Sequence, residues 1–307
     1  MCDKTVRPSV WKAWTTLFRP PNLFTAPGDP LVGAMLASGA LGLWPHWPFV
    51  GATVGAALLF YAAGLLANDY FDRHIDARER PDRPIPSGAV TPCAVLVVAT
   101  ILTLGGLFLL LPAGQVSFAL GFLVVGASWF YNAAGKRSAL LAPFSMGICR
   151  GLSLMMGAGA FGFQGVMTAS VLVSAGALTL FIALITHFAR DEAAASRPSI
   201  SMWVRLGIPV LLAAWFSVIL TRSTQSSNLA VILASMSIVW AVVWIIQLKP
   251  SASPRQVQTA IGGLIRGLIL TQAALCASCG PAGQTMALLL LAAFPVSGWL
   301  GKWFYGS

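Results

Sequence analysis

Ten apolar stretches follow one another along the chain, at about 21–43, 48–67, 92–111, 115–131, 139–162, 167–189, 204–221, 228–248, 257–278 and 284–302. The gaps between them are too short to house a folded soluble domain. A helix needs ~20 apolar residues to cross the ~30 Å hydrocarbon layer. Lipid offers no partner to a backbone N–H or C=O, so segments that cross it must be helical. The fourth stretch is short, and the first and ninth are interrupted. The pattern therefore predicts an all-α, polytopic membrane bundle of nine or ten spans, one domain over 21–302. Residues 1–20 form a cytoplasmic or interfacial segment. Pro27, Pro30, Pro143 and Pro209 mark kinks or short interfacial starts.

Orientation follows from the basic residues, which are retained on the cytoplasmic side. Alternate loops hold fifteen of them: Lys4, Arg7, Lys12, Arg19; Arg73, Arg78, Arg80, Arg83; Lys136, Arg137; Arg190, Arg197, Arg205; Lys249 and Arg255. The opposite loops hold one, Arg222. The N-terminus and the Arg73–Arg83 loop are thus expected in the cytoplasm. The same distribution disposes of nucleic-acid binding as the meaning of a net charge of +10, because the charges mark topology and form no groove interleaved with aromatic residues. Residues 1–20 lack the unbroken apolar core of a signal peptide. Trp11, Trp14 and Phe18 share a helical face, which suits an interfacial helix as well as a plain tail. Cys276 and Cys279 have CxxC spacing without a second pair or a nearby His, and read as small apolar filler.

Charge is scarce, 9% of the 307 residues, yet the stretch NDYFDRHIDARERPDRPIPSG from Asn68 to Gly88 holds five of the nine acids. At 100° per residue Asp69, Asp72 and Asp76 lie within about 60° of one another on a helix. Asn68 and Asp72 are i,i+4 neighbours. Carboxylates this close raise each other's pKa unless a cation keeps them ionised. Two sources of that cation stay open. One is intrahelical pairing, Asp69 with Arg73 and Asp76 with Arg80, which leaves Asn68 and Asp72 unused. The other is a hard divalent ion, which takes oxygen ligands and, for Mg²⁺, one or two carboxylates plus a substrate's phosphates. The arginines that follow suit phosphate oxygens. His74 is turned away from Asp72 and Asp76, and His46 sits with Trp44 and Trp47 in an aromatic belt.

A second polar cluster ends the sixth stretch, where His187 and Asp191 are i,i+4 and Glu192 follows. Its parity matches the first. Two parallel repeats of four spans would bring such clusters to one central site.

The run Asn68-Asp69-x-x-Asp72-x-x-x-Asp76, followed by Arg83-Pro84-Ile85-Pro86-Ser87-Gly88, resembles the first signature of the UbiA superfamily of intramembrane prenyltransferases. Arg19-Pro20-Pro21-Asn22 and Tyr131 with Lys136-Arg137 add to the likeness. The opening RPPNLFTAPGDPLVG resembles the EboC-like branch. Membership would imply a helical bundle around a central cavity and transfer of an isoprenyl group from its diphosphate to a hydrophobic, aromatic acceptor with Mg²⁺ as cofactor. Carried over by motif position, Asn68, Asp69, Asp72, Asp76 and Asp191 would hold the metal, with Asp72, Asp76 and Asp191 catalytic. Asn22, Arg83, Tyr131, Lys136, Arg150 and His187 would bind substrate. Arg83 and Lys136 would neutralise the leaving diphosphate, and the Tyr131 ring would either stabilise cationic character or serve as an interfacial anchor. The second motif departs from the family's DxxxD: His187 or Ala195 stands where one carboxylate is expected, and histidine suits Mg²⁺ poorly. Arg150 and Arg266 lie inside apolar spans, where an arginine is functional by default or snorkels to the interface. Two rival functions remain at this level, a catalytically impaired lipid- or diphosphate-binding relative and an ion-coupled transporter.

Overall fold

The computed structural model describes residues 9–138, 141–194, 202–248 and 253–304, without the side chains of 21–22, 190–194, 202–204, 254–255 and 301–304. A short α1 (Val10–Phe18) and a single turn α2 (Pro20–Leu23) lead into α3 (Gly28–Leu41), followed by the long α4 (Trp47–Glu79). Next come α5 (Pro92–Leu110), α6 (Gln115–Ala133), α7 (Leu141–Ala158), the short α8 (Gly162–Val166) and α9 (Ala169–Ala194). The bundle closes with α10 (Met202–Arg222), α11 (Asn228–Ile246), α12 (Pro254–Ala277) and α13 (Gly280–Phe304). Among the described residues nine helices are long and apolar enough to cross a membrane.

The stretch at 21–43, interrupted already in the sequence, does not form one span. Pro27 and Pro30 cannot donate to the carbonyls four residues back, and a turn separates α2 from α3. The 14 residues of α3 reach about 21 Å, short of a bilayer. It is nonetheless among the most buried helices and packs against α4, α7, α9, α12 and α13. It forms the hub around which the first and last spans close.

Small residues let the hub approach so nearly. A Cβ on Gly157 of α7 would stand 1.8 Å from the Pro30 carbonyl oxygen, and one on Gly33 of α3 1.8 Å from that of Leu154. With hydrocarbon on every side there is no hydrophobic gain in joining helices, so close backbone packing carries the association. Gly147 and Gly151 serve the α7–α9 contact in the same way, against Thr179 and Ala175. Hence α7 lies between α3, α6 and α9 and reaches α4.

In α1, Ala13 and Leu17 are buried, with Trp14 and Phe18 half-buried and stacked, and Trp11 is 84% exposed. The expected aromatic face is therefore divided, Trp14 and Phe18 toward Leu66, Ile85 and Val95 and Trp11 outward. Cys276 is buried and the Cys279 thiol donates to the Leu275 carbonyl oxygen at 3.3 Å. Cys276 belongs to the main apolar core and the half-buried Cys279 packs against it, where burial pushes the Cys279 thiol up to about 12.

Candidate active site

The helix α4 does not stop where its apolar stretch does. It continues without a break through Asn68, Asp69, Asp72 and Asp76 to Glu79, so the four polar side chains keep the helical spacing that the sequence predicts. Their partners are not the intrahelical ones. Arg73 turns to its own helix, donating to the Tyr70 carbonyl at 2.8 Å and covering the Tyr70 ring at 4.3 Å. Arg80 ends the helix.

Two neighbouring segments divide the acidic face. On one side Asp69 and Asp76, 5% and 6% exposed, share Arg83: its Nη1 donates to Asp69 Oδ1 at 3.3 Å and Asp76 Oδ2 at 2.8 Å. Arg19 Nη2 donates to Asp69 Oδ1 at 2.7 Å. On the other side Lys136 Nζ stands 2.6 Å from Asp72 Oδ1 and 3.4 Å from Asn68 Oδ1. On the helical wheel Asn68 and Asp72 lie to one side of Asp69 and Asp76, which lets different neighbours claim each pair.

Local structure fixes the three cations. The Arg83-to-Gly88 segment is a compact turn, with Ser87 N–H donating to the Arg83 carbonyl at 2.9 Å and Val90 N–H to that of Pro84 at 3.1 Å. Gly88 takes φ +74°, a conformation that costs glycine little. Ile85 and Val90 anchor the turn beside Leu17 and Leu66. Lys136 follows α6, whose buried Asn132 donates to the Gly64 carbonyl of α4 at 3.2 Å and to the Ser128 carbonyl at 3.0 Å. Arg19 has φ +44°, the only positive value among the described non-glycine residues. Asn132 was missed in the sequence, where a single amide at the end of an apolar run carries no signal.

The crevice bounded by Leu17, Asp69, Asp76, Arg83, Pro84, Ile85 and Pro86 is too tight to admit water. Among the described residues no three His, Cys, Asp or Glu side chains come close enough to hold a metal by themselves. Asn68 and Asp72 do converge two oxygens on one positive point, now the Lys136 ammonium. Such a pair fits Mg²⁺ in the mode in which substrate oxygens complete the shell.

The other expected site residues are distributed as follows. Tyr131 is half-buried near the end of α6, one residue before Asn132. His187 is exposed on α9. The side chains of Asn22 and Asp191, like that of Glu192, lie outside the described residues. Arg150 is not on the acids of α4. It is 8% exposed and pairs with Asp29, 1% exposed, on α3. His74 is exposed, as its angle on the helix predicts.

The profile of the UbiA prenyltransferase family matches residues 30–261. A digeranylgeranylglyceryl phosphate synthase of Methanothrix thermoacetophila is 42% identical over 107 residues, 35% of this chain and 39% of that protein. Its namesake in Halobacterium salinarum is 34% identical over 190 residues, 59% of this chain and 65% of that protein. The bacteriochlorophyll synthase 33 kDa chain of Cereibacter sphaeroides is 31% identical over 164 residues, 51% of this chain and 50% of that one. The matched stretch thus spans less than two thirds of each of these relatives. Two solved structures share the fold. A digeranylgeranylglyceryl phosphate synthase structure aligns with a TM-score of 0.56 at 19% identity, over 88% of this chain and 99% of that one. The apo structure of a UbiA homolog from Aeropyrum pernix K1 aligns with a TM-score of 0.61 at 17% identity, over 82% and 96%.

Proposed function

Since this chain belongs to the UbiA prenyltransferase family, we propose that it transfers an isoprenyl group from an isoprenyl diphosphate to a hydrophobic acceptor within the membrane. The observation that carries the reading is the convergence of Asn68 and Asp72 on Lys136 at the end of a membrane helix, beside Arg83 and Arg19. Residues 21–302 act as one domain, a view supported by α3 packing against both α7 and α12. The loop bias of fifteen to one supports a cytoplasmic N-terminus and site.

In this reading the allylic C–O bond breaks with its electron pair leaving on the diphosphate. Lys136, Arg83 and Arg19 lie where they can neutralise that charge, and preorganised donors of this kind lower the barrier most where charge develops. Mg²⁺ held by Asn68 and Asp72, with Asp69, Asp76 and Asp191 included by motif position, would stabilise the same negative charge. Asp69 and Asp76 have a second task, holding the Arg83 guanidinium in place. The acceptor's electron pair then closes on the allylic carbon and its proton is lost. Tyr131 and His187 belong to the substrate side by motif position, as does Asn22. The apolar bundle keeps the prenyl tail in lipid and water away from the cation.

The names of the synthases from Methanothrix and Halobacterium favour a glyceryl phosphate lipid as acceptor and that branch of the family over the EboC-like one. The relative named a bacteriochlorophyll synthase supports a pigment acceptor as a second reading, and the aromatic acceptor expected from the sequence is one class to be tested beside these. The test supplies purified protein with Mg²⁺, a radiolabelled isoprenyl diphosphate and either an isoprenyl glyceryl phosphate or an aromatic acceptor. Diphosphate release with one acceptor class, abolished by Asp72→Ala, is the expected result. Mg²⁺-dependent binding without release, or ion-driven uptake into liposomes, would overturn it.

A further inference from the structure

A second polar cluster lies away from the acids of α4. Thr25 in the turn between α2 and α3 and Asp29 in the first turn of α3 are each 1% exposed; Arg150 comes from α7 and Gln272, 3% exposed, from α12. Arg150 Nη2 donates to the Thr25 carbonyl at 2.9 Å and to Asp29 Oδ1 at 3.1 Å, and its Nη1 donates to Thr25 Oγ1 at 3.2 Å. Gln272 Nε2 donates to the same carbonyl at 2.9 Å and to the same Asp29 oxygen at 2.7 Å. Two side chains, 125 and 247 residues away in sequence, thus hold one backbone oxygen. A broken helix inside a membrane protein frees backbone groups that must find partners, and here the partners come from α7 and α12.

What the break carries explains why it must not move. Six residues before Thr25 stands Arg19, whose left-handed backbone precedes a proline, a position from which helical conformations are disfavoured. Such a conformation persists only when the surroundings over-determine it. On its N-terminal side, Ala13 and Leu17 of α1 are packed. On its C-terminal side α2 packs against α13 and α4, and directly beyond it the Thr25 carbonyl is held from α7 and α12. The Arg19 guanidinium between them reaches Asp69 at 2.7 Å.

From this we infer that Arg150, Asp29 and Gln272 are positioning residues. They clamp the α2–α3 break and, through α2, hold Arg19 at the acidic face, so that residues in the bundle's interior tune a site they do not touch. Arg150 then acts on the diphosphate site at a distance and is not itself a diphosphate ligand.

The kinetic part of the test rests on the transferase reading; the structural part does not. Gln272→Leu removes the amide clamp but keeps size and the Asp29–Arg150 pair. Arg150→Lys keeps the charge but loses the fork. Hydrogen exchange in the purified full chain should quicken about fivefold or more across Val10–Leu23 in both variants, with α5 and α11 unchanged. Gln272→Leu and Arg19→Gln should each lower kcat/KM for the isoprenyl diphosphate, by about tenfold for Arg19→Gln, and the double variant should fall no further than Arg19→Gln alone. Wild-type exchange rates across Val10–Leu23 in both folded variants would overturn the inference, as would multiplicative losses in the double variant. Quickened exchange in a protein whose wild type shows no turnover would support the clamp and sink only the transferase reading.

Discussion

Replacing Arg83 with methionine asks what the ion pairs between α4 and the following turn contribute. The substitution removes the contacts at 3.3 Å to Asp69 and 2.8 Å to Asp76 and keeps most of the apolar stem. Asp69 retains Arg19 at 2.7 Å. Asp76, with its side chain 8% exposed, retains no other ion-pair partner among the described residues. Leaving a buried carboxylate unpaired costs about 3–5 kcal/mol. Arg83 is 26% exposed, so water reaches the pair and screens part of this; a cost of about 2 kcal/mol is expected. That is roughly a 30-fold loss in the folding constant, or about 4 °C in the midpoint of thermal inactivation for a chain of this size. The decisive step is adding Asp76→Asn. If the cost is an uncompensated charge, neutralising Asp76 in the Arg83→Met background should restore at least half of the midpoint shift. A double variant less stable than Arg83→Met would refute the reasoning, since the loss would then come from the turn's packing.

Asp72→Asn should lower diphosphate release by about a hundredfold or more while shifting the inactivation midpoint by less than about 2 °C, because the Asp72 side chain is 22% exposed against 8% for Asp76 and its pairing is better screened; equal losses of stability and activity would count against a role at the site. Asn132→Leu unties α6 from the Gly64 carbonyl and should raise KM for the diphosphate about fivefold by letting Lys136 wander, measured beside an unchanged wild-type fold by tryptophan fluorescence. Gly157→Ala drives a methyl to 1.8 Å from the Pro30 oxygen and should cost about 3 kcal/mol or more, seen as loss of monodisperse protein on size exclusion; a well-folded variant would contradict the close α3–α7 packing.

The spans were legible because apolar length alone identifies them, whatever face each helix turns inward. The break at Thr25 was half legible: Pro27 and Pro30 announced it, but nothing local told that α3 would end as a short buried hub. The acidic face was legible from spacing on one helix. Its division was not, because the partners arrive from outside, Arg19 from 50 residues upstream and Lys136 from 68 residues beyond Asn68. A pairing of Asp69 with Arg73 satisfies the same local rule and loses to a tertiary one. Asp29 and Gln272, 243 residues apart, are single polar letters in apolar runs; their meaning exists only once α3 and α12 are side by side.

The uninterrupted course of α4 has a last consequence. Its 33 residues extend about 50 Å, whereas ~20 residues suffice for the hydrocarbon layer. Counted from Trp47, the oily portion ends near Leu66, and Asn68 is among the first residues past it. The helix therefore works as a stiff mast that fixes the acids at a set height above the fatty layer. On the proposed function, a guest would be gripped by its wet head at that height, with its hydrocarbon tail hanging below, so the grip would sense the head group and ignore how long the tail is.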